Sequence, residues 1–194
     1  MRAETAADPD SQLMLAFAAG DRGAFDALFA RWAGPLLRYL ERMVRDTATA
    51  EELVQEAFLR VHRARDRYRP SARFSTWLYR IGTNLALNEL RRPRRSRPHA
   101  SRDDEPAAAP LLHAAGPAPD DHAHARRVSR ELERALEALP PRQRVALWLV
   151  AVEGLSYVEA GEALEASVSS VKSLVHRARS QLAQQLGDTE GESS

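Results

Sequence analysis

The sequence has no cysteine in its 194 residues, and Lys172 is its single lysine. A chain without thiols has no disulfide framework, no thiolate nucleophile and no cysteine-based zinc or iron-sulfur site. Long apolar runs are also missing, because the longest, VALWLVAV at 145–152, is far shorter than the roughly 20 residues that cross a bilayer. The first residues lack the apolar core of a signal peptide. We therefore expect a cytoplasmic protein with no metal centre, no cofactor and no stable membrane insertion.

The net charge is close to zero, but the basic and acidic residues are unevenly distributed along the sequence. The formal net charge is +1, with 28% charged and 44% hydrophobic residues, enough for one medium core or two small ones. RRPRRSR at 91–97 holds five arginines, whereas EELVQE at 51–56 is acidic. The positive charge is thus almost all guanidinium, which suits bidentate phosphate contacts. Codon bias explains the arginine excess equally well.

The N-terminal half shows helical periodicity and no alternating β-branched runs. Asp10 or Ser11 is the expected N-cap of the first helix, and Pro35 is expected to kink or split the second. The apolar spacing predicts four helices, at 11–20, 23–44, 51–68 and from 75 or 76 to 92. Four helices of this length can close one core.

The remaining sequence predicts a linker and a second helical domain. Residues 93–125 are rich in proline, alanine and charge without periodicity, which is typical of a flexible linker. Four short helices follow in 126–186, and a polar tail begins at Gly187. We therefore predict an all-α protein with two small helical domains, at 11–92 and 126–186, joined by the 93–125 linker.

Two helices near the C-terminus have the spacing of a helix-turn-helix. Ser156 with Glu159 forms a capping box, and Ser167 is placed to cap the following helix. Val168, Val171, Val175 and Ala178 form the expected buried stripe of that second helix. The polar and basic residues opposite suit a DNA major groove, namely Ser169, Ser170, Lys172, Ser173, His176, Arg177 and Arg179. A solvated helix in a small bundle is the alternative.

The helix that begins near Glu51 carries an unusual polar face. Glu52, Gln55, Leu59 and His62 recur at three- and four-residue intervals and form a line outside the core stripe, and Glu56 flanks it. A leucine framed by acid and amide groups favours a protein interface with a basic partner. A purely solvated face is the alternative, because single exposed leucines are common.

The segment YRPSARFSTW and the helix after it suggest contact with nucleic acid. Rings interleaved with arginines bind unpaired strands, because exposed bases stack while guanidinium groups hold the backbone. We expect Tyr68 and the arginines at the surface, with Phe74 and Trp77 either stacking on bases or completing the core. The outward stripe predicted on the helix contains Arg80, Asn84, Leu87, Asn88 and Arg91, opposite Ile81 and Leu85. The candidate DNA contacts are Tyr68, Arg73, Phe74, Trp77, Arg80, Asn84, Asn88 and Arg91.

Both halves resemble parts of one protein family. LPPRQR, EGLSY and VKSLVHRAR within 132–182 resemble the promoter-reading C-terminal domain of bacterial sigma factors. AEELVQEAFLRVHRARDRYRPSARFSTWLYRIGTNLALNELRR is similar to the second region of sigma-70 factors. The short length resembles the extracytoplasmic-function branch. The chain departs from the family at Glu165, where a turn glycine is common, at Leu174, where an arginine is common, and at Leu78, which follows Trp77 where primary factors have adjacent tryptophans.

The resemblance implies a sigma factor that performs no chemistry itself. Its partners would be core RNA polymerase, through the β′ clamp helices and the β subunit, promoter DNA, and an anti-sigma factor. The acidic line with Leu59 would contact polymerase, residues 68–74 and the following helix would capture and melt the −10 element, and the second helix of the helix-turn-helix would read the −35 element.

Parts of the sequence also resemble those of two other functional classes. A helix-turn-helix regulator of the response-regulator type would need a receiver domain with parallel strands, which the helical N-terminal half does not offer. DDHAH at 120–124 with His113 could bind a cation, although an Ala/Pro-rich linker gives it no fixed geometry.

Overall fold

The computed structural model describes residues 8–92 and 130–191, with side chains up to residue 187. Every regular element in these ranges is a helix, so the predicted fold class is confirmed. The α-helices are α1 (Pro9–Ala18), α2 (Arg22–Val44), α3 (Thr47–Arg63), α4 (Phe74–Arg91), α5 (130–138), α6 (Pro141–Ala151), α7 (Tyr157–Leu164) and α8 (Val168–Gly191). None of them is long and apolar enough to span a membrane.

The described residues divide into two compact units. The first contains 8–92 and 140–179, and the second contains 130–139 and 180–191. All contacts reported below lie within the first unit. The predicted linker at 93–125 lies outside the described residues, and the predicted domain boundaries stay a prediction.

The N-cap of α1 lies two residues before Asp10, the earlier of the two expected caps. The Asp8 carboxylate accepts a hydrogen bond from Ser11 N at 3.1 Å and is the N-cap, so the expectation of Asp10 or Ser11 is wrong. Asp10 is buried instead, where Trp32 Nε1 donates to it at 3.0 Å and Arg31 pairs with it. A buried carboxylate with two such donors is satisfied by tertiary contacts and is not available for capping.

Helix α2 runs through Pro35 as one 23-residue helix, so the expected split does not occur. Leu28, Leu36 and Leu40 lie on both sides of the proline and are fully buried. Their packing offsets the local cost of the missing N–H, because tertiary burial rather than propensity supplies most helix stability. The helix ends at Val44, and its C-cap, Arg45, has a left-handed φ of 62°.

Helices α3 and α4 complete the N-terminal core. Asp46 caps α3, accepting from Thr49 N at 2.6 Å, so α3 begins four residues before the predicted start. It ends at Arg63, and a 3₁₀ turn occupies 65–67 of the span predicted as helix. On α4, Thr83 shares a 2.7 Å hydrogen bond with the buried Tyr39 hydroxyl of α2. Burial raises the pKa of Tyr39, so its phenol remains protonated.

Helices α6 to α8 form the predicted helix-turn-helix with its leading helix. The capping box is confirmed, because Ser156 Oγ accepts from Glu159 N at 3.2 Å and Ser156 N donates to the Glu159 carboxylate at 2.9 Å. Ser167 caps α8 through Ser170 N at 3.2 Å, also as predicted. Glu165 stands between the two helices with a left-handed φ of 50°, the conformation that glycine adopts at least cost.

Candidate nucleic-acid and protein interfaces

The predicted protein-binding line on α3 is exposed. Glu52 and Gln55 lie at the surface, and Leu59 retains 49% of its accessible area. Glu56 is partly exposed and accepts a 2.7 Å hydrogen bond from Arg60 Nε, which lowers the pKa of the Glu56 carboxyl. The line therefore presents an apolar centre beside acidic side chains, and the lowered pKa keeps the Glu56 carboxyl ionised at neutral pH.

His62 is the last residue of the line, and its ring packs against two phenylalanine rings. Its imidazole is 5.2 Å from the Phe17 ring and 5.5 Å from the Phe25 ring, centroid to centroid. One face of the exposed residue is therefore held by α1 and α2. No local pattern around His62 indicates this contact, because α1 lies more than forty residues earlier in the chain.

The loop between α3 and α4 buries the ring that was expected at its surface. Tyr68 is 6% exposed, its hydroxyl donates to Ser11 Oγ at 3.2 Å, and its ring lies 5.0 Å from that of Trp77. The surface prediction for Tyr68 is therefore wrong. A tyrosine gains from burial when its hydroxyl finds a partner, and α1 supplies one here. The same burial raises the pKa of Tyr68.

Phe74 belongs to the core, whereas Trp77 is partly exposed. The Phe74 ring is fully buried, 6.5 Å from Trp32 and 5.9 Å from Trp77, so the core alternative holds for it. Arg67, Arg69 and Arg73 are exposed, as expected. Of the three rings predicted to meet bases, Trp77 is the most accessible in this structure.

The predicted stripe on α4 is largely exposed. Arg80, Asn88 and Arg91 lie at the surface and Asn84 is partly exposed, but Leu87 is buried and Ile81 is partly exposed. The placement of Leu87 among outward residues is therefore wrong. Buried side chains occupy more than half of the circumference of α4, because the helix packs on α2 and α3 on one side and on α6 and α7 on another.

Helix α8 presents the predicted basic face. Val171, Val175 and Ala178 are buried as expected, whereas Val168 is 37% exposed. The Lys172 ammonium lies 5.9 Å from the centre of the Tyr157 ring on α7, which restrains that side chain by a cation–π contact. All members of the predicted DNA face are exposed, namely Ser169, Ser170, Lys172, Ser173, His176, Arg177 and Arg179.

An open cleft of about 590 Å³ lies at the start of α8. Ser170, Ser173, Leu174 and Arg177 line it, together with Arg142 from α6. Arg142 was not predicted, and its Nη2 also donates to the Leu164 carbonyl at 3.3 Å. Glu165 also lines the cleft. Two guanidinium groups, hydroxyls and the first turn of a helix nevertheless offer donors to a phosphate oxygen.

Family comparisons match both halves of this arrangement. The sigma-70 region 2 model matches residues 28–96, and the sigma-70 region 4 model matches residues 129–182. RNA polymerase sigma factor CarQ of Myxococcus xanthus is 41% identical over 174 residues, covering 90% of this chain and 95% of CarQ. The chain belongs to the sigma-70 family. The extracytoplasmic-function sigma factor SigW of Bacillus subtilis is 32% identical and covers 87% of this sigma factor and 92% of SigW.

Solved structures agree with the fold of this sigma factor. CnrH, solved in complex with the cytosolic domain of CnrY, superposes with a TM-score of 0.67 at 25% identity, covering 93% of this chain and 99% of CnrH. The sigma factor RpoE of Bartonella quintana, solved with the anti-sigma factor NepR, gives a TM-score of 0.62 at 20% identity, covering 84% and 96%. The latter similarity concerns the fold alone.

Metal binding finds no support in the part of this sigma factor that the structure describes. Residues 8–92 and 130–187 contain no group of three or more His, Asp or Glu side chains placed to hold a metal ion. DDHAH at 120–124 and His113 lie outside the described residues.

Proposed function

We propose that this sigma factor binds core RNA polymerase through the line on α3, which would contact the β′ clamp helices. The exposed Leu59, framed by Glu52 and Gln55, carries this proposal. Half-exposed leucines surrounded by acidic and amide groups provide the apolar centre and polar rim that protein interfaces use. His62 would contribute the ring edge that its two phenylalanine contacts leave accessible.

Promoter recognition would be divided between the two regions. The arginines of the 68–74 loop, Trp77 and the α4 stripe would bind the −10 element, and the α8 face would read the −35 element in the major groove. The protein would perform no chemistry of its own and would act in the cytoplasm, where polymerase is found. As the sigma-factor resemblance implies, an anti-sigma factor would control it, and the β subunit would provide further polymerase contacts.

The polymerase proposal is tested by binding the full chain to sigma-free core RNA polymerase. A variant with Glu52→Arg and Gln55→Ala is expected to lose at least a hundredfold in affinity, because it places a cation opposite the expected basic partner. Both residues are exposed, so its melting temperature should match that of the parent. Fluorescence anisotropy with labelled sigma factor gives the affinity.

A matched charge reversal controls for nonspecific electrostatics. Glu162→Arg changes an exposed glutamate on α7 and should leave polymerase affinity within about twofold, as expected for a surface substitution outside the interface. Equal losses in both variants, or retention of full affinity by the α3 variant, would refute the assigned surface.

Arg177→Ala is expected to weaken −35 duplex binding about tenfold, because it removes an exposed guanidinium beside the cleft at the start of α8. The negative slope of log affinity against log salt concentration should become shallower by about one, as for the loss of one phosphate contact. Arg22→Ala, at an exposed arginine outside every predicted interface, is the control. An unchanged salt slope would exclude a phosphate contact, and loss of polymerase binding by Arg177→Ala would indicate unfolding.

A further inference from the structure

The loop between α3 and α4 is hydrogen-bonded at both ends to the start of α1. At one end, the Tyr68 hydroxyl donates to Ser11 Oγ at 3.2 Å. At the other end, the backbone N–H of Phe74 donates to the Asp8 carboxylate at 3.0 Å. Ser11 Oγ itself donates to Asp8 at 2.8 Å, so the two connections meet. We call Asp8, Ser11 and Tyr68 the loop clamp.

The hydrogen bonds of the loop clamp form one chain. Ser11 Oγ has a single hydrogen, which it donates to Asp8, so it accepts from Tyr68. Ser11 is fully buried and Tyr68 is 6% exposed, so water does not compete for these groups. Arg73, at the N-cap position of α4, makes no capping hydrogen bond with its side chain, and Asp8 supplies the cap instead. The loop and the first turn of α4 therefore both depend on α1.

The residues between the two anchored ends, 69–73, carry arginines of the proposed −10 surface. Arg69 and Arg73 are exposed. Arg69 Nη1 donates to the Tyr68 carbonyl at 3.0 Å, and Ser71 N donates to the Arg69 carbonyl at 2.8 Å. The hydrogen bonds inside the loop thus lead back to Tyr68, which Ser11 holds in place.

We propose that Asp8 and Ser11 are positioning residues for recognition of the −10 element. They keep Arg69 and Arg73 in the arrangement that binds a single strand, so the entropy cost of ordering the loop is not paid on binding. Ser11 is fully buried and acts through Tyr68 rather than on DNA. The inference rests on the proposed assignment of the −10 element to this loop and α4. It gives α1, which carries none of the predicted DNA contacts, a part in promoter recognition.

The positioning role is tested on holoenzyme assembled from core polymerase and the full chain. The probe is a single-stranded oligonucleotide that the parent holoenzyme selects from a random pool after depletion with core polymerase alone. Ser11→Ala removes both hydrogen bonds of the hydroxyl and should lower affinity for this oligonucleotide about fivefold to tenfold. Its affinity for core polymerase should stay within about twofold of the parent. An unchanged oligonucleotide affinity would overturn the proposal.

Binding kinetics separate positioning from direct contact. Ser11→Ala lowers the fraction of molecules whose loop is ordered before the strand arrives, so the association rate should fall while the dissociation rate stays constant. Arg69→Ala removes an exposed guanidinium from the bound complex and should instead raise the dissociation rate. Stopped-flow fluorescence with labelled oligonucleotide gives both rates. Faster dissociation of Ser11→Ala with unchanged association would contradict an ordering step before binding.

A buried hydroxyl elsewhere in the same core controls for general stability. Tyr39→Phe removes the 2.7 Å hydrogen bond to Thr83 and leaves the loop clamp intact. Hydrogen exchange of residues 68–74 should be faster in Ser11→Ala and unchanged in Tyr39→Phe. Tyr39→Phe should also keep the parental affinity for the oligonucleotide. Equal losses of affinity in the two variants would show that Ser11 supports the fold alone.

Asp8 is tested by a conservative and a truncating substitution. Asp8→Asn keeps a side-chain oxygen that accepts from Phe74 N and should retain oligonucleotide affinity within about twofold, whereas Asp8→Ala should lose at least about fivefold. Asp21→Ala removes the cap of α2, where Asp21 accepts from Gly23 N at 2.9 Å, and is the matched loss of a helix cap. If Asp21→Ala lowers the affinity as much as Asp8→Ala, the positioning role of Asp8 is refuted.

Arginine variants show whether a failure belongs to the loop clamp or to the −10 assignment. Arg69→Ala and Arg73→Ala should each weaken oligonucleotide binding. If both leave the affinity unchanged, the loop does not bind the strand, and its −10 assignment fails together with the positioning role. If they weaken binding while Ser11→Ala and Asp8→Ala do not, the −10 assignment stands and the positioning role alone is refuted.

Discussion

Phe74→Ala is expected to lower the free energy of unfolding by about 3–5 kcal/mol, the usual cost of truncating a buried aromatic ring. The Phe74 ring is fully buried between Trp32 and Trp77 at the start of α4. Its removal leaves a cavity that these two rigid rings cannot fill without moving the helix. Urea denaturation followed by circular dichroism measures the loss.

The neighbouring arginine provides the control. Arg73→Ala changes an exposed side chain and should alter stability by less than about 0.5 kcal/mol, while it lowers affinity for −10 DNA. A Phe74→Ala protein that kept parental stability and lost only DNA affinity would show that the ring stacks on a base and that its core placement is wrong.

Gly161→Ala is expected to cost about 1–3 kcal/mol, because an added methyl group would overpack the turn of the helix-turn-helix. A Cβ at Gly161 would lie 2.8 Å from the carbonyl oxygen of Ala166. That oxygen belongs to the backbone, so no side-chain rotation can move it away from the added methyl group. The turn itself must shift. In thermal denaturation the variant should have a lower melting temperature than the parent. Its affinity for a −35 duplex should also be lower.

The same substitution elsewhere should have the opposite effect. Gly187 lies inside α8, is exposed, and a Cβ there would meet nothing within 4 Å. Gly187→Ala is expected to stabilise the chain by up to about 1 kcal/mol, because alanine loses less backbone entropy in a helix. A harmless Gly161→Ala would mean that the two helices of the motif are farther apart than the structure shows.

Features that depend on neighbours in the sequence were predictable. Ser156 and Glu159 are three residues apart, and Ser167 is followed three residues later by the N–H that it caps. The unusual residue at the turn, Glu165, was also recognised from sequence, and its left-handed φ explains why glycine suits that position. Local hydrogen bonds and local backbone requirements leave a signature at fixed spacing.

Features that depend on distant partners were not predictable. The arginine-rich loop around Tyr68 predicts a surface residue. Tyr68 is buried instead, and its hydroxyl donates a hydrogen bond to Ser11, 57 positions earlier. Leu87 looked outward because a single buried stripe was assumed for α4. The helix has two packing partners on different sides, and only the tertiary structure reveals the second.

The candidate sites show the same difference between features set by nearby residues and features set by distant ones. The exposure of Glu52, Gln55 and Leu59 followed from the helical period of α3 alone. The engagement of Asn84 by Glu165 spans 81 positions, and neither residue type indicates its partner. Periodicity therefore predicts which face is available, whereas the groups that occupy the face require the fold.

The hydrogen bonds of the Asp8 carboxylate determine where a fragment that contains region 2 must begin. It accepts from Ser11 N in α1 and from Phe74 N at 3.0 Å, 66 positions later, so one side chain caps the first turns of two helices. The region 2 family match begins at residue 28. A fragment cut at that boundary would lose α1 and the first turn of α2, leave the first turn of α4 uncapped, and uncover the face of His62 that Phe17 and Phe25 protect. Fragments for spectroscopy or screening should therefore begin before Asp8.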